Sequence, residues 1–488
     1  MIKKINNFIN GRFENSTNKT IPVWNPQNGE KLTEVTCSSK KELNNAVSSA
    51  KAAFYKWSNL TLKERVDVFY EFRNELKNNI TSLANSICQE NGKTFEEAKA
   101  EILKGIELTE FACSMPQIIH DEIQEVSKGV ECRSSHVPLG IVASITPFNF
   151  PIMVPMWTIP NAIVLGNCMI LKPSEQTPVG ASKIAELLKK SGLPDGVFNV
   201  INGDKNIVEA ICDHEDISAI SFVGSTKIAK NVYQRTTSNF KRCLSLGGAK
   251  NHLIVLPDAN EEMASNDIIA SMSGCAGQRC LAVSMAVTVG DARETFTQAI
   301  SEMADSIKVG YGLEEDVQMG PVVSRDSKKR IEKLIEQGAS DGAKILLDGR
   351  GTEILNYENG HFLNPTILDE VAPENSISQT EIFCPVLSLT HTNTIEQAIE
   401  IVSNSPYGNA ASIFTRNGAA ARKFRYEIPA GNVGINIGVA APMAYFPFCG
   451  WKDSFLGVLH GQGRDAIDFY TEKKVVIERW PLQWSRKF

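Results

Sequence analysis

The chain has 488 residues, 42% of them hydrophobic and 22% charged, with a formal net charge of -6 and a pI near 5.8. This length predicts two or three domains, and the composition is that of a globular protein rather than a disordered or fibrous one. No basic patch interleaved with aromatic residues is present, which argues against a nucleic-acid partner. The eleven cysteines include no CxxC pair, so the spacing predicts neither a disulfide framework nor a metal site. Free thiols favour a reducing compartment, and we expect a cytoplasmic protein.

No segment at the N-terminus has the apolar core of a signal peptide. The longest apolar run, from Phe150 to Leu171, contains three prolines and two asparagines. Such a run predicts a buried helix followed by a strand, not a membrane span. We therefore expect no membrane partner.

Two capping boxes begin a helical section. Ser39 with Glu42, and Thr61 with Glu64, place a hydroxyl and a carboxylate three residues apart, and apolar residues at helical spacing follow both pairs. The sequence therefore predicts helices over residues 40 to 118.

From residue 140 onward, short β-rich runs alternate with stretches of helical length. The predicted strands are 140–145, 168–171, 197–201, 217–223 and 243–246, and two of the predicted helices are 178–190 and 205–212. A second alternation comprises strands 252–256, 283–289 and 410–415 and helices 260–276 and 325–340. This pattern predicts an α/β protein with parallel, doubly wound sheets and a domain boundary at Gly247-Gly248.

The last predicted strand covers residues 473–478. A terminal strand can pair with a second copy of the chain, or it can form an internal edge of a sheet. The spacing supports both alternatives equally.

Two strand ends suggest a dinucleotide site, although neither GxGxxG nor GxxxxGK[ST] is present. Lys172 and Glu175 follow one strand and could reach ribose hydroxyls, or they could form an ordinary charge pair. Gly224 and Ser225 follow another strand at the start of a helix, where free N–H groups suit a pyrophosphate. A simple helix cap is the alternative for Ser225.

The most informative motif is Gly277-Gln278-Arg279-Cys280, which follows Asn149 by about 130 residues. A thiol and an amide suit attack on a carbonyl with stabilisation of the oxyanion. A buried packing cysteine is the alternative for Cys280.

Five motifs in order resemble those of the aldehyde dehydrogenases, namely 147–151, 171–175, 222–226, 277–280 and 381–386. The resemblance implies that Cys280 is the nucleophile and that Asn149 and the backbone N–H of Cys280 hold the oxyanion. It also implies cofactor contacts by Phe148, Lys172, Glu175, Gln176, Gly224, Ser225, Glu381 and Phe383. An acid at position 175 favours NAD over NADP.

The resemblance further implies two doubly wound α/β domains and a small β oligomerisation element. We expect residues 1–118 and 139–247 to form the NAD-binding domain and residues 248–452 the catalytic domain. Residues 119–138 and 465–488 would form the oligomerisation element of a homodimer or homotetramer.

One departure from the family pattern concerns the residue that activates water. Many hydrolytic members carry Glu-Leu-Gly-Gly, whereas this chain has Leu244-Ser245-Leu246-Gly247-Gly248, which we align with Ser245 at the glutamate position. Serine is no general base near neutrality, so a thioester would wait for a thiol such as coenzyme A. The segments 147–151, 248–252, 277–280 and 469–471 are similar to the CoA-acylating methylmalonate-semialdehyde dehydrogenase branch.

Two cations are candidates for binding a substrate carboxylate. Arg279 directly precedes Cys280 and could clamp a carboxylate, or it could bond loop carbonyls. The branch resemblance implies a second arginine where this chain has Lys104, which keeps the charge without the planar fork. We expect Cys275, His252, His361 and His460 to be structural.

The resemblance implies NAD-dependent oxidation of malonate semialdehyde or methylmalonate semialdehyde, with decarboxylation and acylation of coenzyme A. One alternative is a hydrolytic aldehyde dehydrogenase that releases a free acid. The other is a non-catalytic nucleotide-binding or structural protein built on this fold.

Overall fold

The structure is a computed structural model that describes residues 4–480. Its N-terminal part begins with the strands β1 (Phe8–Ile9), β2 (Arg12–Phe13), β3 (Thr20–Trp24) and β4 (Lys31–Thr36). The helices α1 (Lys40–Ser58), α2 (Leu62–Asn78), α3 (Ile80–Asn91), α4 (Phe95–Cys113) and α5 (Met115–Ile118) follow. The predicted helical section is confirmed, and both predicted capping boxes form. A third box, Thr94 with Glu97, begins α4 and was not predicted.

The next segment contains the strands and helices of the first large sheet, preceded by a hairpin. The elements are β5 (Glu122–Ser127), β6 (Val130–Pro138), β7 (Ile141–Ile145), α6 (Met153–Val164), β8 (Cys168–Lys172), α7 (Val179–Lys190), β9 (Phe198–Val200), α8 (Lys205–Asp213), β10 (Ile217–Val223), α9 (Thr226–Ser238) and β11 (Arg242–Leu246). The five strands β9-β8-β7-β10-β11 are parallel neighbours in that order. All five predicted strands are confirmed, and the apolar run from Phe150 to Leu171 forms α6 and β8.

The remaining residues contain the second large sheet and a C-terminal strand. The elements are β12 (Asn251–Val255), α10 (Glu261–Ser273), β13 (Val283–Val289), α11 (Ala292–Asp305), α12 (Arg325–Ser340), β14 (Lys344–Leu347), β15 (Thr366–Asp369), β16 (Val386–Thr392), α13 (Ile395–Asn404), β17 (Tyr407–Gly408), β18 (Ala410–Phe414), α14 (Gly418–Glu427), β19 (Asn432–Ile435), β20 (Trp451–Lys452), β21 (Phe455–Leu456), α15 (Asp465–Phe469) and β22 (Thr471–Arg479). The second sheet has the order β14-β15-β16-β13-β12-β18-β19, and its strands are parallel apart from β14. The fold is therefore the predicted α/β class with two doubly wound sheets.

A small third sheet has the order β22-β6-β5 and is antiparallel. β22 pairs along its whole length with β6 of the same chain and forms one edge of this sheet. Val475 and Ile477 on β22 are 61% and 70% exposed. Pairing with a second copy of the chain stays a prediction, as does the domain division given above. Residues 1–3 and 481–488 of that division lie outside the described residues.

One predicted helix end is wrong. The helix predicted over residues 260–276 ends at Ser273, because the chain turns sharply through the 3-10 segment Gly274–Gly277. This turn positions the candidate nucleophile. In residues 4–480, no helix is both long and apolar enough to cross a membrane.

Candidate active site

The turn before Cys280 adopts an unusual backbone conformation. Cys275 and Ala276 have φ of 54° and 51°, and Gly277 has φ of 66°. A Cβ atom at Gly277 would lie 2.1 Å from the carbonyl oxygen of Cys384, so only glycine fits there. The turn redirects the chain from α10 toward the start of β13 and places Cys280 near the N-terminal end of the second sheet.

The main chain of Cys280 is held by two asparagines. The Nδ2 atoms of Asn251 and Asn409 each donate a hydrogen bond of 2.7 Å to the carbonyl oxygen of Cys280. Asn251 also accepts a bond from the N–H of Ala410 at 3.0 Å. These contacts fix the main chain of Cys280 relative to the first residue of β12 and to the residue before β18.

The Cys280 thiol is protonated at neutral pH in this state. Burial, together with the nearby Glu381 carboxylate, raises the pKa of Cys280 to about 12. Hydrogen bonds from the backbone N–H groups of Cys280 and Leu281, and the charge of Arg279, oppose this rise. Since the thiolate is the nucleophile, a proton has to leave the thiol before or during attack.

Asn149 lies beside the turn that carries Cys280. Its Nδ2 donates a hydrogen bond of 2.9 Å to the carbonyl oxygen of Gln278, and its side chain is buried. Because an amide has two N–H groups, one remains for a second acceptor. The structure thus brings together the two predicted catalytic residues, one from the end of β7 and one from the turn after α10.

A buried ion pair, which sequence reasoning missed, holds the segment of Asn149. Lys93 Nζ lies 2.5 Å from Glu101 Oε2 and donates a 2.6 Å bond to the carbonyl oxygen of Asn149. Glu101 Oε1 accepts the backbone N–H groups of Ile152 and Met153 at 2.8 and 3.0 Å. Both charged side chains are at most 1% exposed. One available signal was the position of Glu101 among the apolar residues of α4.

The C-terminal end of α3 supports the same region. Asn91 Nδ2 donates a 2.9 Å bond to the carbonyl oxygen of Phe148. The buried Glu90 accepts the N–H groups of Val179 and Gly180 at the start of α7, at 2.7 and 2.9 Å. Burial raises the pKa of Glu90 to about 8, and these two bonds oppose that rise. Neither residue was singled out from the sequence.

The predicted cofactor residues lie at the C-terminal ends of β8 and β10. Lys172 Nζ pairs with Glu175 Oε2 at 2.9 Å, and Gln176 is exposed beside them. Ser225 precedes the first residue of α9, but its hydroxyl makes no capping hydrogen bond. A Cβ atom at Gly224 would lie 2.6 Å from the ring of Phe222. The Ser225 hydroxyl and the start of α9 are suited to a phosphate group.

Glu381 approaches the first sheet from the segment before β16. Its Oε1 accepts the N–H of Ala249 at 2.9 Å, and a Cβ atom at Gly248 would lie 2.4 Å from its Oε2. Burial raises the pKa of Glu381 to about 7. The ring of Phe383 meets that of Phe148 edge to face, with centroids 6.0 Å apart.

The two candidate substrate cations contact acids of the chain. Arg279 Nη2 lies 3.5 Å from Glu97 Oε1, and its Nε lies 3.4 Å from the Cys275 sulfur. Lys104 Nζ lies 3.0 Å from both carboxylate oxygens of Glu107. Neither of these Arg279 contacts is a bond to a loop carbonyl, so both alternatives for Arg279 stay open. A substrate carboxylate would have to compete with Glu97 and Glu107.

The placement of Ser245 at the position of a water-activating base stays a prediction, and the structure shows where its side chain lies. Ser245 is fully buried, and its hydroxyl lies 3.6 Å from the Cys243 sulfur on one face of β11. The opposite face carries Leu246, which lines a small cavity together with Trp157 and Phe448. Strand alternation therefore makes Leu246 the residue that faces α6. Neither side chain can serve as a base.

Comparisons with known proteins agree over nearly the whole chain. The model of the aldehyde dehydrogenase family matches residues 13–476. Malonate-semialdehyde dehydrogenase 1 of Geobacillus kaustophilus is 45% identical over 478 residues, 98% of each chain. Methylmalonate-semialdehyde dehydrogenase of Oceanimonas doudoroffii has a crystal structure that superposes with a TM-score of 0.98, at 41% identity and with full coverage of both chains.

A crystal structure from Sinorhizobium meliloti 1021, complexed with NAD, has a TM-score of 0.97 at 42% identity and covers 99% of each chain. The sequence motifs, the two doubly wound sheets and these similarities agree. The chain belongs to the aldehyde dehydrogenase family.

Proposed function

We propose that the protein oxidises malonate semialdehyde or methylmalonate semialdehyde with NAD, and that it transfers the acyl group to coenzyme A with loss of CO2. The products would be acetyl-CoA and propionyl-CoA. The observation that carries the proposal is the hydrogen bond from Asn149 to Gln278, which joins a candidate oxyanion donor to the segment of a candidate nucleophile, Cys280. The names of the relatives supply the substrate class.

The residues present fit a bound NAD. The Ser225 hydroxyl makes no capping hydrogen bond at the start of α9 and suits the pyrophosphate. Glu175 and Lys172 suit the adenosine ribose. Glu381 and Phe383 suit the nicotinamide ribose, and the Glu381 carboxylate is near enough to Cys280 to raise the pKa of that thiol. When bound, NAD supplies the hydride acceptor.

The side chains of the site would act in sequence on the aldehyde. The Cys280 thiol loses its proton to solvent, and the sulfur adds to the carbonyl carbon. The second N–H of Asn149 Nδ2 would donate to the resulting oxyanion. Loss of a hydride from that carbon leaves a thioester on Cys280. Arg279 and Lys104 are our candidates for holding the substrate carboxylate. The carboxylate departs as CO2, and the α-carbon that carried it gains a proton from solvent.

The acyl group then needs an acceptor. The strand β11, Arg242–Leu246, contains no aspartate or glutamate. It therefore offers no carboxylate to activate water. The thiolate of coenzyme A attacks the thioester carbon and releases the Cys280 thiolate. This step needs no general base on the protein, because a thiolate is already a strong nucleophile.

The test is NADH formation from each semialdehyde, with and without coenzyme A, combined with identification of the acyl product. We expect turnover that requires coenzyme A and a product one carbon shorter than the substrate. Turnover that ignores coenzyme A and releases a free acid would instead support the hydrolytic alternative. C280A is the control, since it should lose oxidation and keep NAD binding.

A further inference from the structure

The Arg279 side chain folds back over the turn that precedes it. Its Nε lies 3.4 Å from the Cys275 sulfur, and its Nη2 lies 3.5 Å from Glu97 Oε1. A Cβ atom at Gly274 would lie 2.0 Å from Nη2, so the guanidinium lies directly against the main chain of Gly274. These contacts use the edge of the guanidinium that Nε and Nη2 form.

The opposite side of this guanidinium is open. Within residues 4–480, Arg279 Nη1 makes no hydrogen bond, and the Arg279 side chain is 24% exposed. Burial raises the pKa of Cys280 and the charge of Arg279 opposes this rise, so the guanidinium lies close to the thiol. In a 3-oxo acid one carbon atom separates the carboxylate from the carbonyl carbon. A substrate attacked by Cys280 therefore brings its carboxylate toward the free N–H groups of Arg279.

Glu97 is an anion whose position does not depend on Arg279. It is the N3 residue of the capping box that begins α4, where its Oε2 accepts the backbone N–H of Thr94 at 3.1 Å. Its Oε1 accepts the backbone N–H of Cys275 at 2.5 Å. The Glu97 side chain is 14% exposed. Two backbone groups from distant parts of the chain thus hold this carboxylate beside the guanidinium.

A fixed carboxylate weakens the attraction of Arg279 for a second one. Glu97 compensates part of the guanidinium charge, because opposite charges at this distance attract each other strongly. Water screens the attraction, since both side chains are partly exposed. An ion pair of this kind changes an equilibrium by up to about fivefold.

We propose that Glu97 is the resident counter-ion of Arg279 and that it limits how tightly the site binds a substrate carboxylate. Substrate and Glu97 compete for the charge of one guanidinium, while Glu97 keeps its bond from Cys275. Glu97 acts through Arg279, so it determines specificity without being a catalytic residue. This proposal rests on the proposed function for its substrate, because that function supplies an aldehyde that carries a carboxylate.

The first test uses E97Q, which removes the charge and keeps the shape of the side chain. The carboxamide oxygen can still accept the N–H of Cys275. We compare kcat/KM for malonate semialdehyde with kcat/KM for propanal, which has no carboxylate. The preference for the semialdehyde should rise about fivefold in E97Q, through a lower KM. Any displacement of the turn would slow both substrates alike and cancels in this ratio.

Two further variants show whether the effect belongs to the contact with Arg279. E96Q removes a neighbouring charge from the same turn of α4, where Glu96 is 77% exposed and pairs with Lys99, so E96Q should keep the wild-type preference. R279Q should lower the preference. In that background E97Q should have no effect, because a residue that acts through Arg279 needs the guanidinium.

Alkylation of Cys280 provides a readout without turnover. Iodoacetate and iodoacetamide both form a thioether on the Cys280 sulfur with loss of iodide, but only iodoacetate carries a carboxylate. The ratio of their rate constants removes any change in the ionisation of the thiol. Mass spectrometry of the peptide that contains Cys280 measures both rates. E97Q should raise the iodoacetate to iodoacetamide ratio about fivefold, and E96Q should leave it unchanged.

Three results would overturn the proposal. Two are an unchanged or a lower carboxylate preference in E97Q. The third is an equal rise caused by E97Q in the R279Q background, which would mean that Glu97 acts without Arg279. If the wild type forms no acyl-CoA, the proposed function fails, and the alkylation ratio still decides the role of Glu97. If acyl-CoA forms and neither ratio responds to E97Q, only the role of Glu97 fails.

Discussion

Removal of the Lys93 ammonium separates two effects of the buried pair, stability and the positioning of Asn149. In K93M the Glu101 carboxylate stays buried without its counter-ion, and the carbonyl oxygen of Asn149 loses its 2.6 Å hydrogen bond. Breaking a fully buried pair by removing one partner costs about 3–5 kcal/mol. We therefore expect the free energy of unfolding of K93M to fall by that amount.

The double variant K93M/E101Q removes the stranded charge as well. The side-chain amide oxygen that it introduces can still accept the N–H groups of Ile152 and Met153, which Glu101 Oε1 accepts in the wild type. We expect the double variant to recover all but about 1 kcal/mol of stability, the remainder being the lost hydrogen bond to Asn149. Urea unfolding of the three proteins measures this.

Activity should not follow stability in this series. In both variants the carbonyl oxygen of Asn149 lacks its hydrogen bond from Lys93. A misplacement of about 1 Å near the reacting atoms costs about a hundredfold in rate. We expect kcat for NADH formation to remain about a hundredfold low in the stable double variant. A double variant with wild-type kcat would refute the positioning role and leave the pair a purely structural one.

Three further predictions concern other parts of the molecule. L246E should raise hydrolysis relative to CoA transfer by about a hundredfold in product analysis, because Leu246 faces α6. S245E should only unfold the protein, and the reverse result would support the alignment of Ser245 with the glutamate. The pKa of Glu381 near 7 means that its carboxylate ionises between pH 6 and 8, so the Kd for NAD should fall severalfold over this range in titrations. E381Q should remove this trend. A wild-type Kd that is independent of pH would contradict the prediction. V475K/I477K should convert an oligomer to monomers in light scattering, and an unchanged mass would exclude β22 as the interface.

Local signals predicted the elements whose causes are local. The capping boxes at Ser39 and Thr61 form because a hydroxyl and a carboxylate three residues apart satisfy the first N–H groups of a helix. The strands β7 to β11 follow from short β-rich runs separated by helical stretches. The meeting of Asn149 with the segment of Cys280 came from a family resemblance, since no pattern within the chain fixes a contact across 129 residues.

The misses share a tertiary origin. Cys275 and Ala276 are ordinary helix residues by sequence, so their left-handed conformation could not be predicted from residue type. The close approach of Gly277 to Cys384 exists only in the folded chain. The contact of the buried Ser245 hydroxyl with Cys243 depends on the packing around β11, which an alignment does not contain. Lys93 and Glu101 escaped notice because charged residues are ordinarily exposed.

The bond from Asn149 to Gln278 has a mechanical consequence. Asn149 follows β7 of the first sheet, and Gln278 precedes β13 of the second, so one hydrogen bond of 2.9 Å spans the seam between the two sheets. Any hinge motion that separated the sheets would break this bond and dismantle the oxyanion site. The Asn149 amide and the Cys280 segment therefore keep this geometry only while the two sheets stay together at the seam.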